Sequence, residues 1–331
     1  MDILKKIRSL TTNIGIYQHG KLDKPAPEFG YALEDQARAL LVANFANDKK
    51  LKKTYLDFII MAKRKDGLLH HFYYENDGAG IFKNSESDLE PNTEVAFAIT
   101  LWSLLAAIKN EELNEKTESI INNLIKEAYK WNSPRAIATA LLGLANLDHE
   151  NNLEKILKNK LQQLFLNSTS GIWVWFEDCL AYANAIFPWS LWEVYLKRKC
   201  RISLEIALKT TDFLINICQE RKIPSPIGNN GWYYKGNKKA LYDQQPIDAC
   251  YMVCCLEKAY EATNKKFYLD WAKEWFKWFF GNNINEISLL DNNLGCFDAL
   301  TPNGVNLNQG AESNICFLMA YFAAKRLNIL D

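Results

Sequence analysis

The sequence is poor in the residues that mark most metal, redox and nucleic-acid proteins. It has four histidines, His19, His70, His71 and His149, and their spacing makes no metal triad. Its eight cysteines are scattered, with no CxxC pair and no Cys/His ligand spacing, so neither a zinc site nor any other metal or cofactor is expected. Cys250, Cys254 and Cys255 share one helical pattern, where buried free thiols are the expected state. No Asp/Asn loop carries calcium-ligand spacing. Charge of either sign is not in excess: Lys+Arg and Asp+Glu both number 39. Nucleic acid and anionic membranes both want a basic field, so neither is an expected partner. No run approaches the roughly 18 uncharged apolar residues of a membrane span. The opening MDILKKIRSL lacks the apolar stretch of a signal peptide. The expectation is a soluble, cytoplasmic protein. Strand-like runs are scarce as well; Gly171–Phe176 and Gly231–Tyr234 are the short exceptions.

Helical periodicity fills the rest of the 331 residues, of which 48% are hydrophobic and 13% aromatic. The spacing predicts helices over 2–11, 31–46, 50–64, 92–108, 113–131, 133–147, 151–166, 183–198, 201–220, 246–262, 265–280 and 310–327. Those beginning near 31, 92, 133, 183, 246 and 310 are apolar on most faces and read as buried on both sides. Those beginning near 50, 113, 151, 201 and 265 have Lys/Glu-rich faces and read as an outer layer. The last inner helix lacks an outer partner, which the unpaired helix 2–11 can supply. Six inner and six outer helices make an (α/α)6 toroid, a single all-α domain over 1–331. An open solenoid of hairpins would show a recurring repeat, and none recurs.

The links within hairpins are short, at 47–49, 110–112, 148–151, 198–201 and 263–265, whereas the return links 13–30, 66–91, 168–181, 222–245 and 281–309 are long. Every long link feeds the N-terminal end of an inner helix, so one end of the ring is built up into a surface. The first turns there hold Tyr31, Glu34, Asp35 and Arg38; Asn92, Thr93 and Glu94; Ser133 and Arg135; Tyr182 and Asn184; Gln244, Gln245 and Asp248; and Gln309, Glu312, Ser313 and Asn314. The preceding loops add His19, Trp173, Trp175, Glu177, Asp178, Trp232, Tyr233, Asp243 and Asp298. Carboxylates and amides bind sugar hydroxyls, and flat aromatic rings stack on sugar C–H faces. Glycoside cleavage needs two carboxyl groups, one protonated and one ionised, and crowding several together raises the pKa of at least one. Any one of Asp35, Glu94 or Glu312 alone would equally serve as a helix-start acid. Arg38 could simply pair with Glu34 one turn away. Their concentration at one end is what points to a site.

Several segments carry a family resemblance: TTNIGIYQH (11–19), GYALEDQARAL (30–40), SPRAIATALLGL (133–144), WVWFEDCLAYANAIFP (173–188), SPIGNNGWYYKG (225–236), DQQPIDACYMV (243–253) and FDAL…VNLNQGAESNICFLMA (297–320). Together they resemble an uncharacterised bacterial family of the six-hairpin glycosidase superfamily, often encoded near glycosyltransferases and mannoside phosphorylases. The resemblance implies site positions at Asp35, Arg38, Arg135, Glu177, Asp178, Tyr182, Asn184, Asp243, Gln244, Gln245, Asp298, Asn308 and Glu312. Glu34 stands where the pattern has a second aspartate, Asn314 replaces a threonine, and 84–98 lacks an arginine of the pattern.

The sequence reading is thus a glycoside hydrolase or phosphorylase acting on an oligosaccharide. Its acid and base belong to the pool Asp35, Asp178, Asp243 and Glu312. Arg38 and Arg135 are the binding cations and Trp173, Trp175 and Trp232 the sugar platforms; Glu34, Glu177, Tyr182, Asn184, Gln244, Gln245, Asp248, Asp298 and Asn308 complete the binding set. Two alternatives stand beside it: a sugar epimerase, which would need a histidine pair at the mouth, and a non-catalytic saccharide-binding partner of a glycosyltransferase.

Overall fold

The computed structural model describes residues 2–76, 79–84, 93–108 and 114–330. Asn92, and the part of the arginine-lacking segment within 85–92, lie outside the described residues, as does the link 110–112. Twelve α-helices are present among the described residues. The inner ones are α2 (Leu33–Phe45), α4 (Glu94–Ile108), α6 (Pro134–Leu144), α8 (Ile186–Arg198), α10 (Pro246–Thr263) and α12 (Ala311–Arg326). The outer ones are α1 (Lys5–Leu10), α3 (Lys49–Met61), α5 (Glu115–Ala128), α7 (Asn152–Ser168), α9 (Arg201–Ile217) and α11 (Lys266–Lys277). Each inner helix packs on the next, and α12 packs back on α2. That contact closes the ring and excludes an open solenoid. The first helix, α1, packs against α12 and completes the outer layer, as its lone position in the sequence requires.

Amphipathicity sorts the layers. α10 buries Ile247, Cys250, Val253, Leu256 and residues on every other face, as a helix enclosed on both sides must. α11 buries only Tyr268, Ala272, Trp275 and Phe276 and leaves its Lys/Glu side in water. Asp48, Asn114 and Asn151 cap the amides at the starts of α3, α5 and α7. By contrast, α2, α8, α10 and α12 begin without a cap from their own N-cap side chains. Their first-turn N–H groups and positive dipole ends therefore meet at the long-loop end of the ring, an environment that favours carboxylates.

The long loops fold into small ribbons and tie to one another. Strand 31–32 pairs with 72–76, which pairs with 79–83. Tyr233–Tyr234 pairs with Cys179–Leu180, joining two separate return loops, and Gln244 bridges Leu300. The strand expected over Gly171–Phe176 does not form. Gly171 takes a left-handed φ of 56° in a tight turn that bridges Ser170 to Trp173, so the run folds back on itself at its start instead of extending beside another strand. Among the described residues, no helix is long and apolar enough to cross a membrane.

Candidate active site

A cavity of about 250 Å³ opens where the ring closes, at the mouth ends of α2 and α12. Gln18, His19, Glu34, Asp35, Asp298, Gly310, Glu312 and Ser313 line it. The loop before α2 is strapped to the start of α12: Ala311 N–H donates to the Gln18 carbonyl at 3.0 Å, and Leu22 N–H to Asn308 Oδ1 at 3.0 Å. The approach is close enough that a Cβ on Gly20 would stand 2.7 Å from the Gln309 carbonyl oxygen, so only glycine fits there.

Arg38 is the hub. It lies one turn into α2 and is 3% exposed. Its guanidinium faces Glu312 at 3.1 Å, Asp35 at 3.7 Å and Glu34 at 3.8 Å. Burial works against its charge, but Glu312 and Glu34 outweigh that and hold its pKa above the ordinary value. Asp35, 4% exposed, has its pKa pushed well above the carboxylate range, by burial first and by the neighbouring Glu34 second, against the pull of Arg38. Glu312 is also raised, by burial, with Arg38 opposing. It is enclosed within the ring yet faces the cavity with 40% of its side chain accessible. Asp35 Oδ1 and Glu312 Oε2 share Arg38 Nη1, so they cannot stand further apart than 3.7 and 3.1 Å laid end to end. That excludes most of the ~6.5–9.5 Å range of inverting pairs and admits the ~5–5.5 Å of retaining ones.

The floor of the ring is aromatic. Tyr251 of α10 faces Arg38 from across the ring. Its ring meets Trp189 of α8 edge-on at 5.5 Å, and Trp189 meets Trp102 of α4 edge-on at 5.3 Å. This chain of buried side chains links α4, α8 and α10 inside the ring. Nothing in the sequence singled out these three residues.

The remaining expected site residues divide into those at the mouth and those spent on scaffolding. Arg135 pairs with Glu177 at 2.9 Å, donates through Nε to the Tyr182 carbonyl at 2.9 Å, and lies over the Tyr182 ring at 4.7 Å. Glu177, Arg135 and Tyr182 thus form one bracket at the mouth, and Tyr182 feels the charges of Glu34, Arg38 and Glu312. Asp248 lies beside them, 6% exposed, accepting the amides of Asn184 and Ala183; burial raises its pKa to about 7. Asn184 is buried and donates to the Ala181 carbonyl, and among the described residues its Oδ1 has no hydrogen-bond partner.

Asp178 is not part of this gathering. Its side chain is 78% exposed and pairs with Lys235 at 3.4 Å on the rim, because adjacent residues in the turn point opposite ways and Glu177 takes the inward direction. Asp243 is half-buried in the loop before α10 and does not line the cavity. Trp175 is fully buried and Trp173 nearly so; Phe213 packs on both rings, and the Trp173 indole donates to the Glu177 carbonyl. Neither offers a face to a sugar. Trp232 does stay half-exposed on the rim, its indole donating to Asn229 Oδ1 and its ring tilted against Tyr234. Gln244 spends its amide on Ser225, the Leu241 carbonyl and the Trp278 indole, so it is internal framework. Gln245 sits half-buried just before α10. Asp298 accepts from Gly310 N–H at 2.8 Å and Ser313 Oγ at 2.6 Å, capping α12 from another loop while its edge lines the cavity. Asn308 is the strap described above. Glu94 accepts the amides of Asn132 and Ser133 and ties α4 to the start of α6. Among the described residues, no group of three or more His, Cys, Asp and Glu is placed to hold a metal ion.

Comparison with solved structures places this ring among known toroids. The chain superposes on a D-mannose isomerase with a TM-score of 0.74 at 11% identity, covering 98% of this chain and 96% of that one. It superposes on a sugar epimerase from a ruminal bacterium with a TM-score of 0.71 at 11% identity, covering 96% and 95%. An α-mannanase of Bacteroides thetaiotaomicron gives 0.62 at 10% identity, covering 99% and 95%. No protein-family model matches the chain, and no curated protein sequence matches it. At such identities the likeness establishes the fold, and the fold is the (α/α)6 toroid expected from the sequence.

Proposed function

We propose that the chain is a carbohydrate-active enzyme that cleaves a glycosidic bond in the cavity between α2 and α12, with Asp35 as general acid and Glu312 as its ionised partner. The observation that carries this reading is the arrangement around Arg38: one carboxyl buried and biased to the protonated form, a second carboxylate within 3.1 Å of the cation and open to the cavity. Asp35 gives its proton to the glycosidic oxygen as the C–O bond breaks. The short span between the two carboxyls favours Glu312 as the group that attacks the anomeric carbon, with water releasing the sugar afterwards and Asp35 taking a proton back. The substrate is an oligosaccharide, and the rim aromatics Trp232 and Tyr234 suit a sugar beyond the cavity. The eight unpaired thiols suit a reducing compartment such as the cytoplasm.

The test is turnover of mixed manno- and gluco-oligosaccharides by Asp35→Asn and Glu312→Gln, made singly. Each is expected to lose about 10²–10⁴-fold in kcat. Unchanged turnover in both overturns the reading, and saccharide binding with no turnover in the unmodified protein supports the binding-partner alternative instead.

A second reading, a sugar isomerase or epimerase, is favoured by one observation: His19 stands on the cavity wall with Asp35 and Glu312. In D2O such an enzyme would exchange a sugar carbon-bound hydrogen for deuterium, which a hydrolase does not. A His19/His71 double alanine variant that keeps its activity removes this reading.

A further inference from the structure

The inference rests on the saccharide reading above and concerns which sugar the cavity takes. The charges of the cavity do not balance. Four carboxylate side chains line it, Glu34, Asp35, Asp298 and Glu312, and no lysine or arginine does among the described residues. Arg38, beneath the wall, faces three of them. Asp35 is biased to its neutral form by burial, and Asp298 already directs one oxygen to Gly310 and Ser313. Glu34 and Glu312 then share a single guanidinium; both line the cavity, and 41% and 40% of their side chains remain accessible. Acid–base cleavage employs Asp35 and Glu312 and gives Glu34 no part. A surplus carboxylate in a partly desolvated pocket is costly unless a cation meets it.

An independent feature points the same way, toward a ligand. Arg38 is 3% exposed, yet among the described residues its Nε and Nη1 hydrogens have no acceptor; the contact with Glu312 is close but not aligned as a hydrogen bond. Buried donors of this kind carry a penalty that a ligand oxygen would remove. The cavity thus presents an unmatched carboxylate on its wall and unmatched donors beneath it. A ligand that satisfies both has a positive charge and hydroxyl oxygens on one small frame.

We propose that the cavity binds a sugar bearing a free, protonated amine, its ammonium against Glu34 and its hydroxyl oxygens toward Arg38. Acetylation of the amine removes the charge and with it the preference. Uronic acids and sugar phosphates meet the same carboxylates as like charges and are turned away.

Isothermal titration at neutral pH tests this on the intact protein, with glucosamine and mannosamine set against glucose, mannose and N-acetylglucosamine. At least one amino sugar is expected to bind about tenfold or more tighter than its neutral counterpart, a difference of about 1.4 kcal/mol. Glu34→Gln is expected to bring the two within about threefold of each other, and Glu34→Asp to keep most of the preference, with thermal unfolding confirming that both variants fold. Equal binding of amino and neutral sugars overturns the inference and leaves the glycosidase reading standing. A preference that survives Glu34→Gln overturns it as well. Failure of every one of these sugars to bind overturns this inference, and the oligosaccharide reading then stands or falls on its own turnover test.

Discussion

Trp102 and Trp189 meet edge to face with 5.3 Å between ring centroids, although they stand on α4 and α8, with α6 between those helices in the ring. The contact crosses the hole of the toroid. Together with Tyr251 it packs the space that a ring of six helices would otherwise leave open.

Trp189→Ala should therefore act as a core truncation. Trp189 is only 6% exposed, and the expected loss is about 3–5 kcal/mol in urea unfolding. A loss below about 1 kcal/mol would mean that the centre of the ring is not packed as described.

Arg38→Met removes the cation that opposes the upward drift of both Asp35 and Glu312. Both carboxyls should then titrate at higher pH, and both limbs of the kcat/KM profile should move in the alkaline direction by roughly 1 to 3 pH units. A variant that is slower but keeps the same limbs would assign Arg38 to binding alone.

Asp248 gives stability its own pH dependence. Its folded pKa of about 7 lies above the ordinary 3.8, so the folded state holds the proton more tightly than the unfolded chain does. The contribution is full below the unfolded value and is lost as pH rises through about 7, on the order of a few kcal/mol in all. The Asp248→Asn variant cannot lose it. Melting temperatures of the two proteins from pH 4 to 8 should shift steadily in favour of the variant, and a constant difference would contradict the assignment.

Glu177 and Asp178 should separate cleanly despite being neighbours. Asp178→Asn touches an exposed pair with Lys235 and should change stability by less than about 0.5 kcal/mol, with turnover nearly intact. Glu177→Gln strips the charged partner from Arg135, whose side chain is 11% exposed, and should cost about 1–3 kcal/mol. Equal effects from the two would mean that the inward and outward assignments are wrong.

Asp298→Ala should uncap α12 from a distance. Losing the acceptor for Gly310 and Ser313 is expected to cost about 1–2 kcal/mol in chemical denaturation. It should also lower turnover, because Glu312 sits in the same helical turn.

The helices were legible because burial on one face or all faces writes itself into periodicity. The bounds of α10, read as 246–262 and found at Pro246–Thr263, show how far that carries. The mouth was legible as a region because loop lengths reveal which helix ends are built up. Individual side-chain directions within it were not. Asp178 and Glu177 differ by one position in a turn, and no periodicity says which faces in. Trp173 and Trp175 carry the composition of a sugar platform, but the ribbon at 179–180 and 233–234 folds over them and the helix below supplies Phe213. Trp102, Trp189 and Tyr251 were invisible for the opposite reason: on helices apolar all round, no stripe marks the side that faces the axis.

The cavity takes its walls from residues 18–35 and 298–313, segments separated by nearly all of the chain between them. On a ribosome, those walls cannot meet until α12 has emerged and docked. A chain cut short before α12 could form five hairpins and still own half a pocket, with Asp35 present and Glu312 missing. The complete pocket, with whatever it holds, thus exists only once α12 is in place.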